Sequence, residues 1–317
     1  MKKHLAFFCA AVVLAGAVFG QATINGYVRA IGTLTDEGNF NYVDRLRLNL
    51  KWTADNLEFA SRFQLSSKEL TVNTSDKITD IDVVYAYGKI NLFGGKVVVT
   101  GGKLYNYDYD ISSGYSDYVL GNVYNATSDY TAQKQGMLLQ VLPVEGLNIG
   151  VVALPGNTKV GTENFGVFGK YSISKVGDIV VHSYFADKDN LKDSNVSASF
   201  TLTAVEGLSA SAGYKGLTKH AVYGVIDYSK DAFGIQVAPE YNVTDKKFYI
   251  EGAVKYTIAD VTLMGLVGYD KDHVYLSGDY LVGAELQYKV GNGLVAFNPT
   301  YTQDEGFSLP IVVKVSF

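Results

Sequence analysis

The chain has 317 residues, one cysteine and a formal net charge of −5. The acidic balance excludes the basic footprint of a nucleic-acid binder, and a lone Cys9 supports neither a disulfide framework nor a thiolate metal site. Tyrosine (24) and glycine (33) are frequent and proline (5) is scarce, which suits a chain of many uninterrupted strands.

Residues 1–20 stand apart from the rest. Lys2 and Lys3 give a positive start, Leu5 to Val18 is an apolar run, and Val18 and Gly20 supply small residues before Gln21. That is the layout of a secretory signal peptide. The run is shorter than the ~20 apolar residues a spanning helix needs. Cys9 sits inside the run behind Phe8, which is not a lipoprotein arrangement. Cleavage before Gln21 leaves a mature chain of 21–317 without cysteine. The loss of Lys2 and Lys3 takes its formal charge from −5 to −7.

From Ala22 onward the hydrophobic period is two. In 44–52, Leu46, Leu48, Leu50 and Trp52 oppose Arg45, Arg47, Asn49 and Lys51; in 57–66, Leu57, Phe59, Phe63 and Leu65 oppose Glu58, Arg62, Gln64 and Ser66. Further on, Phe248, Ile250, Gly252, Val254 and Tyr256 oppose Lys247, Tyr249, Glu251, Ala253 and Lys255. In 280–289 the apolar set through Tyr288 opposes Glu285, Gln287 and Lys289. A helix would scatter these sets around its circumference, so each segment reads as a strand.

The connections alternate in length. Eight are short: Thr53–Asn56, Phe93–Lys96, Val144–Leu147, Lys175–Asp178, Val205–Leu208, Lys230–Phe233, Ile258–Val261 and Val290–Gly293. Two of them repeat Val-Glu-Gly-Leu, at 144–147 and 205–208. Longer connections fall between them, at about 35–41, 67–79, 106–135, 155–163, 187–194, 216–219, 243–246, 271–278 and 302–306. Short turns on one side and long loops on the other predict an all-β, antiparallel, up-and-down transmembrane barrel of 18 strands, with 16 as the alternative. Both ends then lie on the short-turn side. Lipid offers no hydrogen-bond partner to an open sheet edge, so the strand beginning near Ala22 must pair with 306–317.

The last segment places Phe307, Leu309, Ile311, Val313, Val315 and Phe317 on one face. This ending resembles the C-terminal signature of Gram-negative outer-membrane proteins, and the whole mature chain resembles the bacterial porins. The resemblance implies a location in the bacterial outer membrane, with lipid around the barrel. It implies recognition of Val313, Val315 and Phe317 by the barrel-assembly machinery, and a homotrimer. It also implies that the third long loop folds into the lumen, where its acids face an arginine cluster across a constriction.

The residues fit that expectation in part. The chain has only four arginines, Arg29, Arg45, Arg47 and Arg62, all on the polar face of the first three strands. The third long loop is the longest. It carries Asp108, Asp110, Asp117 and a run of tyrosines including Tyr107, Tyr109, Tyr115 and Tyr118, and no basic residue between 106 and 133. A Pro-Glu-Phe-Gly-Gly element, present in many general porins, is missing from it. The loop tyrosines serve either as a stacking track for sugars or as the loop's own packing.

The function expected is passive diffusion of small polar solutes or ions, with no cofactor and no bound metal. The alternative is a structural or adhesive surface barrel whose loops contact a host or a neighbour. Enzyme chemistry is not expected: His182, His220 and His273 are far apart in sequence, and neither Gly-x-Ser-x-Gly nor His-Glu-x-x-His occurs.

Overall fold

The computed structural model describes residues 21–66, 80–104, 135–154, 164–185, 195–216 and 220–317. The signal segment 1–20 and almost all of the 106–135 connection lie outside the described residues.

The first half of the wall comprises β1 (Gln21–Thr35), β2 (Phe40–Ala54), β3 (Leu57–Ser66), β4 (Asp80–Leu92), β5 (Val97–Lys103), β6 (Gln135–Val141), β7 (Leu147–Leu154), β8 (Asn164–Ile173) and β9 (Gly177–Phe185). The second half comprises β10 (Asn195–Leu202), β11 (Leu208–Lys215), β12 (Ala221–Lys230), β13 (Phe233–Asn242), β14 (Lys247–Ile258), β15 (Val261–Tyr269), β16 (Tyr280–Val290), β17 (Gly293–Phe297), β18 (Thr300–Thr302) and β19 (Gly306–Ser316). Every pairing is antiparallel, and each joins neighbours in sequence apart from the seam of β1 with β19 and the pairings of β16 with β18 and β17 with β19. Segments β17 and β18 both pair with β16 and β19, so they are one stave broken at Asn298–Pro299. The barrel therefore has eighteen staves, not sixteen.

Proline has no N–H to give a ladder, and the break is bridged by its neighbours. Ala284 N–H donates to Pro299 O at 3.0 Å, and Asn298 N–H donates to Pro310 O at 3.0 Å. All eight short turns and all nine longer connections fall between the strands where the sequence places them.

Closure is complete. The β1–β19 register runs from Tyr27↔Ser316 to Thr35↔Ser308. One further rung follows, with Gly26 N–H donating to Phe317 O at 2.9 Å and Phe317 N–H to Gly26 O at 3.0 Å. Both ends lie on the short-turn side, since Gln21 pairs with Thr53 and Ser316 N–H reaches Asn292 O.

The outward face is apolar all round the barrel; Val28, Leu139, Val254 and Val313 are among its exposed side chains. Aromatic rings fringe it at both ends. On the long-loop side Tyr241 pairs with Phe248, Tyr269 with Tyr280 and Tyr301 with Phe307. On the short-turn side Phe233 pairs with Tyr256. Phe248 and Tyr256 are eight residues apart on β14, about 26 Å along the strand at ~3.3 Å per residue, or roughly 20 Å in height at the ~40° tilt of barrel strands. An apolar band of that height between aromatic girdles is the lipid-facing surface of a transmembrane barrel. Among the described residues no helix is long and apolar enough to cross a membrane, and the strands make the crossing.

The repeated Val-Glu-Gly-Leu turns have one geometry. In each, the leucine N–H returns to the valine carbonyl, at 3.2 Å for Leu147–Val144 and 3.0 Å for Leu208–Val205. In each, the glycine carbonyl accepts from a serine on the next strand over, Ser172 at 2.8 Å and Ser229 at 2.7 Å. The glycines hold φ of 80° at Gly146 and 75° at Gly207, and a Cβ on either would overlap that serine's carbonyl oxygen. Gly146→Ala and Gly207→Ala should therefore each lower stability by ~1–3 kcal/mol. The two losses should add, because the sites are far apart. Urea midpoints in detergent, followed by the fluorescence of the single tryptophan, Trp52, would measure them.

Candidate functional site: the charged inner wall

Directly opposed residues of an antiparallel pair share a face. Arg29 opposes Arg45, Tyr27 opposes Arg47, Arg47 opposes Gln64 and Asn49 opposes Arg62. All four arginines thus lie on one face of β1–β3, opposite the exposed Val28 and Leu46 of the lipid side, so they sit on the inner face, as the alternation predicts. Across the seam Arg29 opposes Lys314, which extends the basic wall onto β19.

The wall is held by amides and rings. Arg47 Nε and Nη2 both donate to Gln64 Oε1, at 3.1 and 2.5 Å. Its guanidinium lies 5.4 Å from the Tyr27 ring centroid, and Lys314 Nζ lies 4.9 Å from the same ring. Arg62 Nε donates to Asn49 Oδ1 at 2.6 Å and its guanidinium lies 5.0 Å from the Tyr85 ring. Asn49 in turn donates to Asn25 Oδ1 at 2.8 Å. The pairing shifts register between Arg62 and Phe63, whose partners are Tyr85 and Val83, so the extra residue, Val84, lies on β4; bulges of this kind re-aim side chains. Arg45 Nε is buried without a hydrogen-bond partner among the described residues. Contacts to neutral amides and ring faces orient a guanidinium without cancelling its charge. Glu58, on the same face, pairs with Lys51 at 3.1 Å and accepts from Tyr87 Oη at 3.4 Å.

Another sector of the inner face is acidic, and the sequence reading did not single it out. Glu240, Glu251, Asp270 and Glu285 are all buried. Tyr275 Oη donates to Glu240 Oε1 at 2.8 Å, Tyr249 Oη donates to Glu251, and Asn298 Nδ2 donates to Glu285 Oε2 at 3.0 Å. Buried carboxylates require such partners. The signal was present in the period-two pattern, which put Glu251 and Glu285 on the polar face. Their burial had no sequence signature.

A third sector of the inner face is apolar. Leu104, Leu138, Val152 and Phe168 form a buried cluster with Tyr87 against it. Asp108, Asp110 and Asp117, the acids expected to face the arginines, lie outside the described residues. Val313, Val315 and Phe317 are on the lipid face, each about half exposed, and the Phe317 ring lies over Gly26. The histidines are dispersed: His182 on β9, His220 bonded to Tyr214 Oη, and His273 beside Asp279 at 3.4 Å. Among the described residues no group of three or more His, Cys, Asp or Glu side chains is placed to hold a metal ion.

The fold so defined is a closed, membrane-spanning antiparallel barrel with a charged inner face. It is similar to solved structures of Rhodopseudomonas blastica porin. Three mutants of that porin superpose with TM-scores of 0.62, 0.61 and 0.58, each at 14% sequence identity over 94% of this chain and 100% of the other. No protein-family model matches the chain, and no curated protein matches it in sequence. The likeness is one of fold.

Gln64→Leu removes both hydrogen bonds that fix Arg47. Bonds to a charged group contribute ~1.5–3 kcal/mol, but lumen water takes up part of the loss, so a destabilisation of about 1 kcal/mol is expected. A urea midpoint unchanged from the parent would show that Gln64 does not hold the guanidinium.

Proposed function

We propose that the mature chain, 21–317, is a passive diffusion channel for small polar solutes or ions in a bacterial outer membrane, exported by removal of residues 1–20. The observation that carries this reading is a closed wall of eighteen staves with charge inside and apolar surface outside. A ring of 16–18 strands is too wide for its own side chains to fill and leaves an aqueous lumen. Solutes then move down their gradients, and no cofactor is needed.

In this reading Arg29, Arg45, Arg47 and Arg62 line the constriction and set its charge preference. Charged rings in a narrow aqueous pore select by field rather than by tight binding. The 106–135 connection folds inward, so that Asp108, Asp110 and Asp117 face the arginines. The apolar cluster of Leu104, Leu138, Val152 and Phe168 supports this. Apolar side chains buried on the water side of a wide barrel need a cover, and the connection leaves the wall next to Leu104 and returns at β6. The C-terminal strand, read through Val313, Val315 and Phe317, carries the assembly signal. Homotrimeric assembly completes the proposal.

Purified protein in a planar bilayer should give discrete conductance steps, and a barrel that inserts without conducting would end the channel reading. Arg45→Gln with Arg47→Gln should move the reversal potential in a salt gradient toward cations. An unchanged potential would place these two residues away from the constriction.

A further inference from the structure

The connection between β15 and β16 does not project into solvent. Its tip, Tyr275 and Leu276, packs on the cluster of Tyr223, Val225, Ala238 and Tyr249. These belong to the inner faces of β12, β13 and β14: Val222, Ile226, Phe248 and Val254, their neighbours on the same strands, are the exposed lipid-side residues. The cluster lies two to four residues below the long-loop ends of those strands. At ~3.3 Å per residue that is roughly 7–13 Å along the strands, or roughly 5–10 Å inside the rim at a ~40° tilt. The loop leaves β15 and reaches back along the inner wall as far as β12.

It is fixed there by three sets of contacts. The Asp270 carboxylate, fully buried, accepts from the backbone N–H groups of Val274 at 2.8 Å, Tyr275 at 2.6 Å and Leu276 at 2.7 Å. Tyr275 donates to Glu240 at 2.8 Å and meets the Tyr249 ring edge-on, with centroids 4.8 Å apart. At the base, Lys247 Nζ donates to Asp272 O at 3.0 Å and Phe248 N–H to Asp272 Oδ2 at 3.2 Å. A carboxylate holding three main-chain donors is a rigid loop device.

The position around the ring gives this loop its meaning. Passing from β13 through β14, β15, β16, the β17–β18 stave, β19 and β1 to β2 takes seven steps around an eighteen-stave ring, in which diametric opposition is nine. The tip of the loop, seated on β12–β14, thus lies about 140° around the ring from the middle of the arginine wall, with its base at β15–β16 nearer to that wall. We infer that the β15–β16 loop is a fixed constriction element of the channel: it narrows the lumen from the side facing Arg45 and Arg47, independently of the 106–135 connection, and sets the solute size limit together with them. This rests on the channel reading above.

The test uses the mature chain's lack of cysteine. Ser277→Cys puts a thiol at an exposed position of the loop, where it is the sole target of a methanethiosulfonate reagent. During single-channel recording, a cationic and an anionic reagent should both lower the conductance in steps and move the reversal potential in opposite directions. Asp270→Asn, which loosens the loop, should raise both the conductance and the size limit for neutral sugars in liposome swelling. If Ser277→Cys fails to insert, Lys271→Cys, also exposed, repeats the test at the loop's other end. Labelled channels, verified by mass, with unchanged conductance and reversal potential would overturn the inference while leaving the channel reading intact. Wild-type protein that inserts without conducting would instead overturn the channel reading itself.

Discussion

Everything in this molecule follows from a rule about hydrogen bonds in hydrocarbon. A backbone amide that faces lipid without a partner costs several kcal/mol, and an open edge strand would present a whole row of them. The chain meets the rule by bringing β1 to β19 and continuing the ladder to the last residue, where Phe317 and Gly26 exchange both backbone bonds. Once the ring is closed, the alternation of side chains sorts itself into a lipid face and a lumen face. No disulfide is needed.

Closure also settles where charge can go. The inner face is the one membrane-depth surface where arginine and glutamate have water or each other within reach. The chain uses that freedom unevenly, placing the basic wall on β19 to β3, the buried acids on β13 to β16, and an apolar patch between them around Leu138. The inner face is therefore uneven around the ring, with its arginines in one sector and its buried carboxylates in another. Tyr27, with Arg47 and Lys314 both at its ring, ties the basic wall together across the closing seam.

Much of this was legible in the sequence because the governing signals are local. A period of two, alternating short and long connections and aromatics near several strand ends are properties of short windows, and they returned the stave number, every turn and the facing of Arg29, Arg45, Arg47 and Arg62. The interruption at Asn298–Pro299 was missed because the flanking segments keep the same alternation. The β15–β16 loop was missed for a different reason. Asp270, Tyr275 and Glu240 are brought together by the ring's curvature and by contacts from β12 to β16, and no spacing in the chain encodes that meeting. Residues 271–278 alone look like any hydrophilic connection.

The grip of Asp270 on that loop has a consequence for how such a pore could diversify. Three of its bonds go to main-chain N–H groups, which every residue but proline possesses, so this grip does not depend on the side chain at 274, while Leu276 adds its packing on the inner wall. The side chain at 274 could be exchanged while the loop keeps its course. A lineage, or a designer, could then retune the aperture at that position without touching a strand, a register or the seam that keeps the barrel in the membrane.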